Sequence, residues 1–209
     1  MLKKLFEKYR GIMFQFSRFV GIGFLNTGVD FSVINLLIAF TGITAGWRLS
    51  ILNSVSFVIA ILHSFLWNKF WAFGRSDEGP VKSLARVSAA GLVGALAVLA
   101  ALYGAGKQLS AAYFLITIFA LFVLEVVLWY SFKIKTSSGS ASAEQFSLFV
   151  LVSIVGTVIN SGIVGLVTGF IPPMFDLNPK IWANMAKILA TGIALVWNFI
   201  GYKVFVFKK

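Results

Sequence analysis

Apolar positions along this chain gather into six long runs parted by short polar breaks, and none of the runs alternates as a half-buried strand does. They cover about Phe16 to Phe40, Leu49 to Trp71, Leu84 to Tyr103, Ala111 to Phe132, Phe146 to Phe170 and Ile181 to Tyr202. At a rise of about 1.5 Å per residue, each is long enough as a helix to cross a hydrocarbon core roughly 30 Å thick. The link Thr41–Gly46 is too short for anything but a helical hairpin. A polar loop surrounds Pro80, and Lys133–Ser142 has the composition of a flexible linker. The loop Ile171–Pro179 parts the last two runs. Residues 1–12 set Lys3, Lys4, Lys8 and Arg10 among Leu2, Leu5 and Phe6, a basic amphipathic lead suited to the membrane surface. The pattern predicts an all-α integral membrane protein, a bundle of six transmembrane helices made of three helical hairpins. Its expected divisions are the lead 1–12, a four-helix part 13–136, a linker 137–144 and a third hairpin 145–209.

Composition excludes the soluble alternative. Of 209 residues, 59% are hydrophobic and 12% charged, and the mean hydropathy is +0.91, whereas soluble domains carry about 25% charged residues. The first run is far longer than a signal-peptide core and lacks a small-residue cleavage site, so the N-terminus is expected to stay attached. With no cysteine there is neither a disulfide framework nor thiolate chemistry. The net charge of +11 does not point to nucleic acid, because the cations cluster at the ends of apolar runs instead of along one polar face. Fourteen of the 18 Lys and Arg residues fall on one side of the six-span scheme, which the positive-inside rule reads as both termini in the cytoplasm of a multi-pass cytoplasmic-membrane protein. Such juxtamembrane cations attract anionic lipid headgroups.

The hairpins look like copies of one pattern. Phe16, Phe19, Val20, Thr27 and Asp30 of the first run match Phe146, Phe149, Val150, Thr157 and Asn160 of the fifth. Phe65, Lys69, Trp71 and Phe73 of the second match Phe199, Lys203, Phe205 and Phe207 of the sixth. The middle hairpin is the degenerate copy, with Arg86 opposite Arg18, Trp129 opposite Phe65 and Lys133 opposite Lys69. Shared packing explains the apolar matches; internal repeats in membrane proteins also commonly build a site at the repeat interface.

Two stretches carry a resemblance. Phe16-Ser17-Arg18-Phe19-Val20-Gly21-Ile22-Gly23-Phe24-Leu25-Asn26-Thr27-Gly28-Val29-Asp30 and Ser64-Phe65-Leu66-Trp67-Asn68-Lys69-Phe70-Trp71-Ala72-Phe73 resemble the opening half of a GtrA-like protein, with its Asn-Thr-x-x-Asp core and Asn-basic-x-Trp-x-Phe exit. The resemblance implies a small membrane protein of polysaccharide synthesis that moves polyprenyl-phosphate-linked sugars across the cytoplasmic membrane, or anchors their glycosyltransferase. The chain departs from the family's four helices in having six expected spans. Its last exit, Gly201-Tyr202-Lys203-Val204-Phe205-Val206-Phe207, lacks the asparagine.

Candidate residues fall into two sets. Lys69, Arg75, Lys133 and Lys203 stand where spans meet headgroups and are expected to face a lipid phosphate. Asn26, Asp30, His63, Asn68, Glu125, Asn160 and Asn198 lie within spans and are expected to line a polar path for the sugar. A carboxylate such as Asp30 inside a span costs at least about 2.5 kcal/mol on insertion scales unless it is protonated or paired. A helix-joining hydrogen bond is its competing role. Glu125 is expected nearer a helix end, where it can snorkel, and His63 is either hydrogen-bonded or a pH-sensitive gate. No paired carboxylates in a polar loop, phosphate loop or metal-ligand spacing appear, so neither a catalytic residue nor a cofactor or metal is expected. The favoured function is a lipid-linked-sugar translocase. The alternatives are a scaffold for a membrane glycosyltransferase and a small proton-coupled exporter using Asp30 or Glu125. Expected partners are membrane lipids and the polyprenyl-phosphate sugar, with association into homo-oligomers left open.

Overall fold

The computed structural model describes residues 2–43, 46–74, 80–134, 143–172, 174, 189 and 192–207, except for the side chains at 2–9, 46–50, 53, 54, 80, 160, 161, 164, 165, 168 and 169. Every regular element among these residues is helical. The chain divides into two compact units, 1–139 and 140–209.

The first unit holds α1 (Leu2–Thr41), α2 (Gly46–Trp67), a π-helical turn π1 (Asn68–Ala72), α3 (Pro80–Gly106) and α4 (Ala111–Ser131). Among the described residues, four segments are long and apolar enough to cross a membrane, Arg10–Thr41, Val55–Ala72, Val81–Gly106 and Ala111–Ser131. They coincide with the first four expected runs. α1 is unbroken over 40 residues, so the basic lead is the start of the same helix as the first span. The helix stops at Gly42, whose φ of 69° suits glycine because no Cβ obstructs the left-handed region. Its N–H donates to the Ile38 carbonyl at 2.8 Å and closes the last turn.

In the second unit, α5 spans Ala143–Phe170 in 28 residues and contains the fifth expected run. α6 covers 192–201 and passes into a second π-helical turn, π2 (Tyr202–Val206). Of the sixth expected run, 181–188, 190 and 191 lie outside the described residues.

Small residues decide how the first unit closes. α1 and α3 make the most extensive helix pair, and their contacts advance together along both helices. Gly21 meets Val87, and an added Cβ on Gly28 would lie 2.9 Å from the Ala97 Cβ and 3.0 Å from the Gly94 carbonyl oxygen. The two helices therefore run parallel and nearly backbone to backbone, the approach that glycine permits in lipid, where apolar area alone gives no driving force. α2 and α4 are instead bridged by large rings, with Trp67 and Trp129 centroids 5.1 Å apart.

Polarity is distributed as a membrane requires. Phe119, Phe122 and Leu99 are more than 60% exposed, while Arg18, Ser32, Ser56, Asn68, Lys69, Ser83 and Glu125 are buried. A protein solvated by hydrocarbon keeps its polar groups inside, where other protein groups replace water.

Candidate functional site

The site begins where α2 gives way to π1. The Asn68 side-chain amide donates to the Ser64 carbonyl at 2.8 Å, the acceptor that the Asn68 backbone N–H would use in an α-helix. A side chain inserted into that ladder is a recognised cause of local widening. The ladder resumes one residue wider, with the Phe73 N–H donating to the Asn68 carbonyl at 2.9 Å. Lys69 sits inside this turn at 6% exposure, its ammonium 5.7 Å from the Phe70 ring centroid. Arg18 is likewise buried, at 4% exposure.

Aromatic rings enclose this end. Trp67 contacts Trp71 and Trp129 edge-on, Phe70 contacts Trp129, and Trp71 lies 4.9 Å from Phe132. The Arg86 guanidinium stands 5.2 Å from the Phe132 centroid, a distance at which the ring quadrupole attracts a cation. Lys133 follows at the end of α4, exposed and with φ of 50°. A cleft of about 440 Å³ is lined there by Val126, Trp129, Tyr130, Lys133 and Ile134. Lys69, Arg86 and Lys133 thus stand around one aromatic cluster. Arg75 lies outside the described residues.

Deeper in the spans, two acids have partners that the sequence left unassigned. The Ser56 hydroxyl joins α2 to α1 through Asp30, contacting its carboxylate and, at 2.9 Å, its backbone carbonyl. Glu125 is only 8% exposed, and its Oε2 lies 2.9 Å from His63 Nε2. Glu125 therefore turns into the unit toward α2 instead of snorkelling. One further atom of each residue, His63 Nδ1 and Glu125 Oε1, is buried without a hydrogen-bond partner, as are Asn26 Oδ1 and Asn68 Oδ1. The structure brings His63 and Glu125 together by a hydrogen bond, while Asp30 is engaged by Ser56. Ser56 is a polar group that sequence reasoning passed over, and the burial of Arg18 was not foreseen there. Ser56 had no signal beyond its hydroxyl in an apolar run, and Arg18 was legible only as a cation near a helix start.

The second unit repeats the π-turn. π2 occupies the positions that match π1, and the Phe207 N–H donates to the Tyr202 carbonyl at 2.8 Å as Phe73 does to Asn68. Tyr202 stands in place of the asparagine, so an amide is not required for this turn. Its ring stacks on Phe149 at 4.0 Å. Its hydroxyl lies 2.7 Å from Ser153 Oγ, and because Ser153 donates to the Phe149 carbonyl, Tyr202 is the donor to Ser153. Lys203 is half-buried, 5.9 Å from the Phe199 centroid. Asn198 Oδ1 is buried without a partner and faces Gly156, where an added Cβ would collide with it. The side chain of Asn160 lies outside the described residues. Among the described residues, no three His, Cys, Asp or Glu side chains converge as a metal site would require.

Comparison with known proteins is consistent with this architecture. A family model described as GtrA/DPMS, transmembrane domain, matches the chain twice, over residues 18–136 and 129–207. No curated protein and no solved structure matches.

Proposed function

From the chain's membership of the GtrA/DPMS transmembrane-domain family, we propose that it translocates a polyprenyl-phosphate-linked sugar across the cytoplasmic membrane for polysaccharide synthesis or glycosylation. The observation that carries this reading is the set of cations, Lys69, Arg86 and Lys133, gathered around the Trp67–Trp129 cluster at one end of a membrane-spanning unit. Cations attract the lipid phosphate, and flat aromatic faces suit both headgroup depth and sugar rings. The polyprenyl tail stays in lipid. Within the spans, a sugar that leaves water needs replacement hydrogen bonds, and Asn26 and Asp30 on α1 are the polar groups that would give them.

Reconstitution tests this directly. Purified protein in liposomes with a labelled polyprenyl-phosphate sugar should expose the label to the opposite face at a rate that rises with protein content. A rate equal to that of protein-free vesicles rejects translocation and leaves the scaffold.

The topology belongs to the same reading, with six spans and both termini cytoplasmic. Single cysteines at Ser76, Ser138 and Asn178 should therefore differ toward an impermeant thiol reagent in intact cells, with only position 178 labelled. Labelling at 138 overturns the scheme.

A further inference from the structure

Building on the translocase reading, we propose that the His63–Glu125 pair is a proton-binding site through which headgroup movement is coupled to proton uptake. His63 is the sole histidine of the chain, and its Nε2 lies 2.9 Å from Glu125 Oε2 across α2 and α4. Side-chain exposures of 14% and 11% remove both groups from bulk water and from lipid alike.

The charge arithmetic follows from that burial. With one proton shared, the pair is neutral overall, either as imidazolium beside carboxylate or as imidazole beside carboxylic acid. That is the low-cost state in an apolar span, where a lone ionised group costs about 2.5–3.5 kcal/mol on insertion scales. A second proton leaves imidazolium beside carboxylic acid and gives the pair one positive charge. A singly charged phosphate headgroup passing the doubly protonated pair is matched by that positive charge and is no longer a lone ion in the span; when the headgroup leaves, the pair releases the second proton and returns to its neutral state.

A simple tie between helices needs one hydrogen bond and no titratable group. This pair keeps one polar atom on each partner buried and without a partner, His63 Nδ1 and Glu125 Oε1, which gives each a second place to hold or lose a proton. The other charged or titratable side chains on elements packed against it do not replace it. Asp30 on α1 is engaged by Ser56, seven residues or about 10 Å before His63 along α2. Lys69 lies six residues beyond His63, about 9 Å along the helix direction. Arg86 on α3 stands over Phe132, seven residues beyond Glu125. Arg18 on α1 is buried, and Tyr113 at the far end of α4 donates to the Ala100 carbonyl. Tyr103 on α3 and Tyr130 on α4 are exposed.

The pair has a built-in reporter, because the His63 and Trp67 ring centroids are 6.3 Å apart and protonated imidazole quenches indole fluorescence at contact range. Tryptophan emission of the full chain in lipid nanodiscs should show a transition across a pH range scanned from acid to alkaline. It should be absent in His63→Gln, which retains a side-chain amide able to donate to Glu125. In liposomes, translocation by the wild type should change about fivefold or more over the same pH range and become flat in Glu125→Gln. Superimposable fluorescence titrations of wild type and His63→Gln, both shown folded by thermal melting, overturn the proton site. A flat wild-type translocation profile overturns the coupling. Absence of translocation by the wild type at every pH rejects the translocase reading and the coupling with it, while the fluorescence arm still decides whether the pair takes up a proton.

Discussion

Gly94→Ala is expected to destabilise the first unit by about 2 kcal/mol, in the range of overpacking changes in well-packed cores. A Cβ at Gly94 would overlap the Phe24 carbonyl carbon and oxygen and lie 2.6 Å from the Leu25 nitrogen. These are backbone atoms of α1, so no side-chain rotation relieves the clash, and α1 and α3 must separate. That separation also loosens Gly28 from Ala97, one turn further along the same seam. Gly23→Ala is the control, because nothing lies within 4 Å of a Cβ there and alanine is the better helix former by up to about 1 kcal/mol. Thermal melting of both variants in one detergent checks the claim. A Gly94→Ala melting temperature equal to the wild type's would mean that the close α1–α3 approach is not a feature of the protein in solution.

Asp30→Asn is expected to fold normally and to lower translocation about tenfold, a change of roughly 1.4 kcal/mol in the barrier. Folding is retained because the amide oxygen can still accept from the Ser56 hydroxyl, which also holds the Asp30 backbone carbonyl at 2.9 Å. The matching position in the third hairpin is already Asn160, so an amide at this depth is compatible with the helix. Asn26, one turn before Asp30, is the nearest companion on that face. What the substitution removes is the carboxylate, the stronger acceptor for sugar hydroxyls. Ser56→Ala separates this from a packing role, since it breaks the link between α1 and α2 and should cost about 0.6 kcal/mol, the average for hydrogen bonds between membrane helices, while leaving the acid in place. Initial rates in liposomes and melting temperatures for the two variants decide. Full translocation by Asp30→Asn, at wild-type stability, shows that Asp30 serves only to join helices.

Six apolar runs, a cation bias at their ends and the recurrence of a basic-aromatic exit were all legible in the sequence. Each is a property of one segment meeting its solvent: a span must be long and apolar by itself, whatever it packs against. The first four runs appear as membrane-length helices in the structure, and the Asn68–Phe73 exit is where the helix changes its hydrogen-bonding register. The partners of the polar groups were not legible. His63 and Glu125 stand in different helices, as do Asp30 and Ser56, and contacts between helices depend on how far each is rotated about its axis. That rotation is set in the first unit by the seam of Gly21, Gly28 and Gly94 between α1 and α3, whose depth is a joint property of two helices far apart in the chain. The burial of Lys69 and Arg18 was likewise hidden in the sequence, which shows each only as a cation near a helix end. Solvation by lipid is local and therefore written along the sequence, whereas the pairing of buried polar groups was fixed only when the glycine seam brought the helices together.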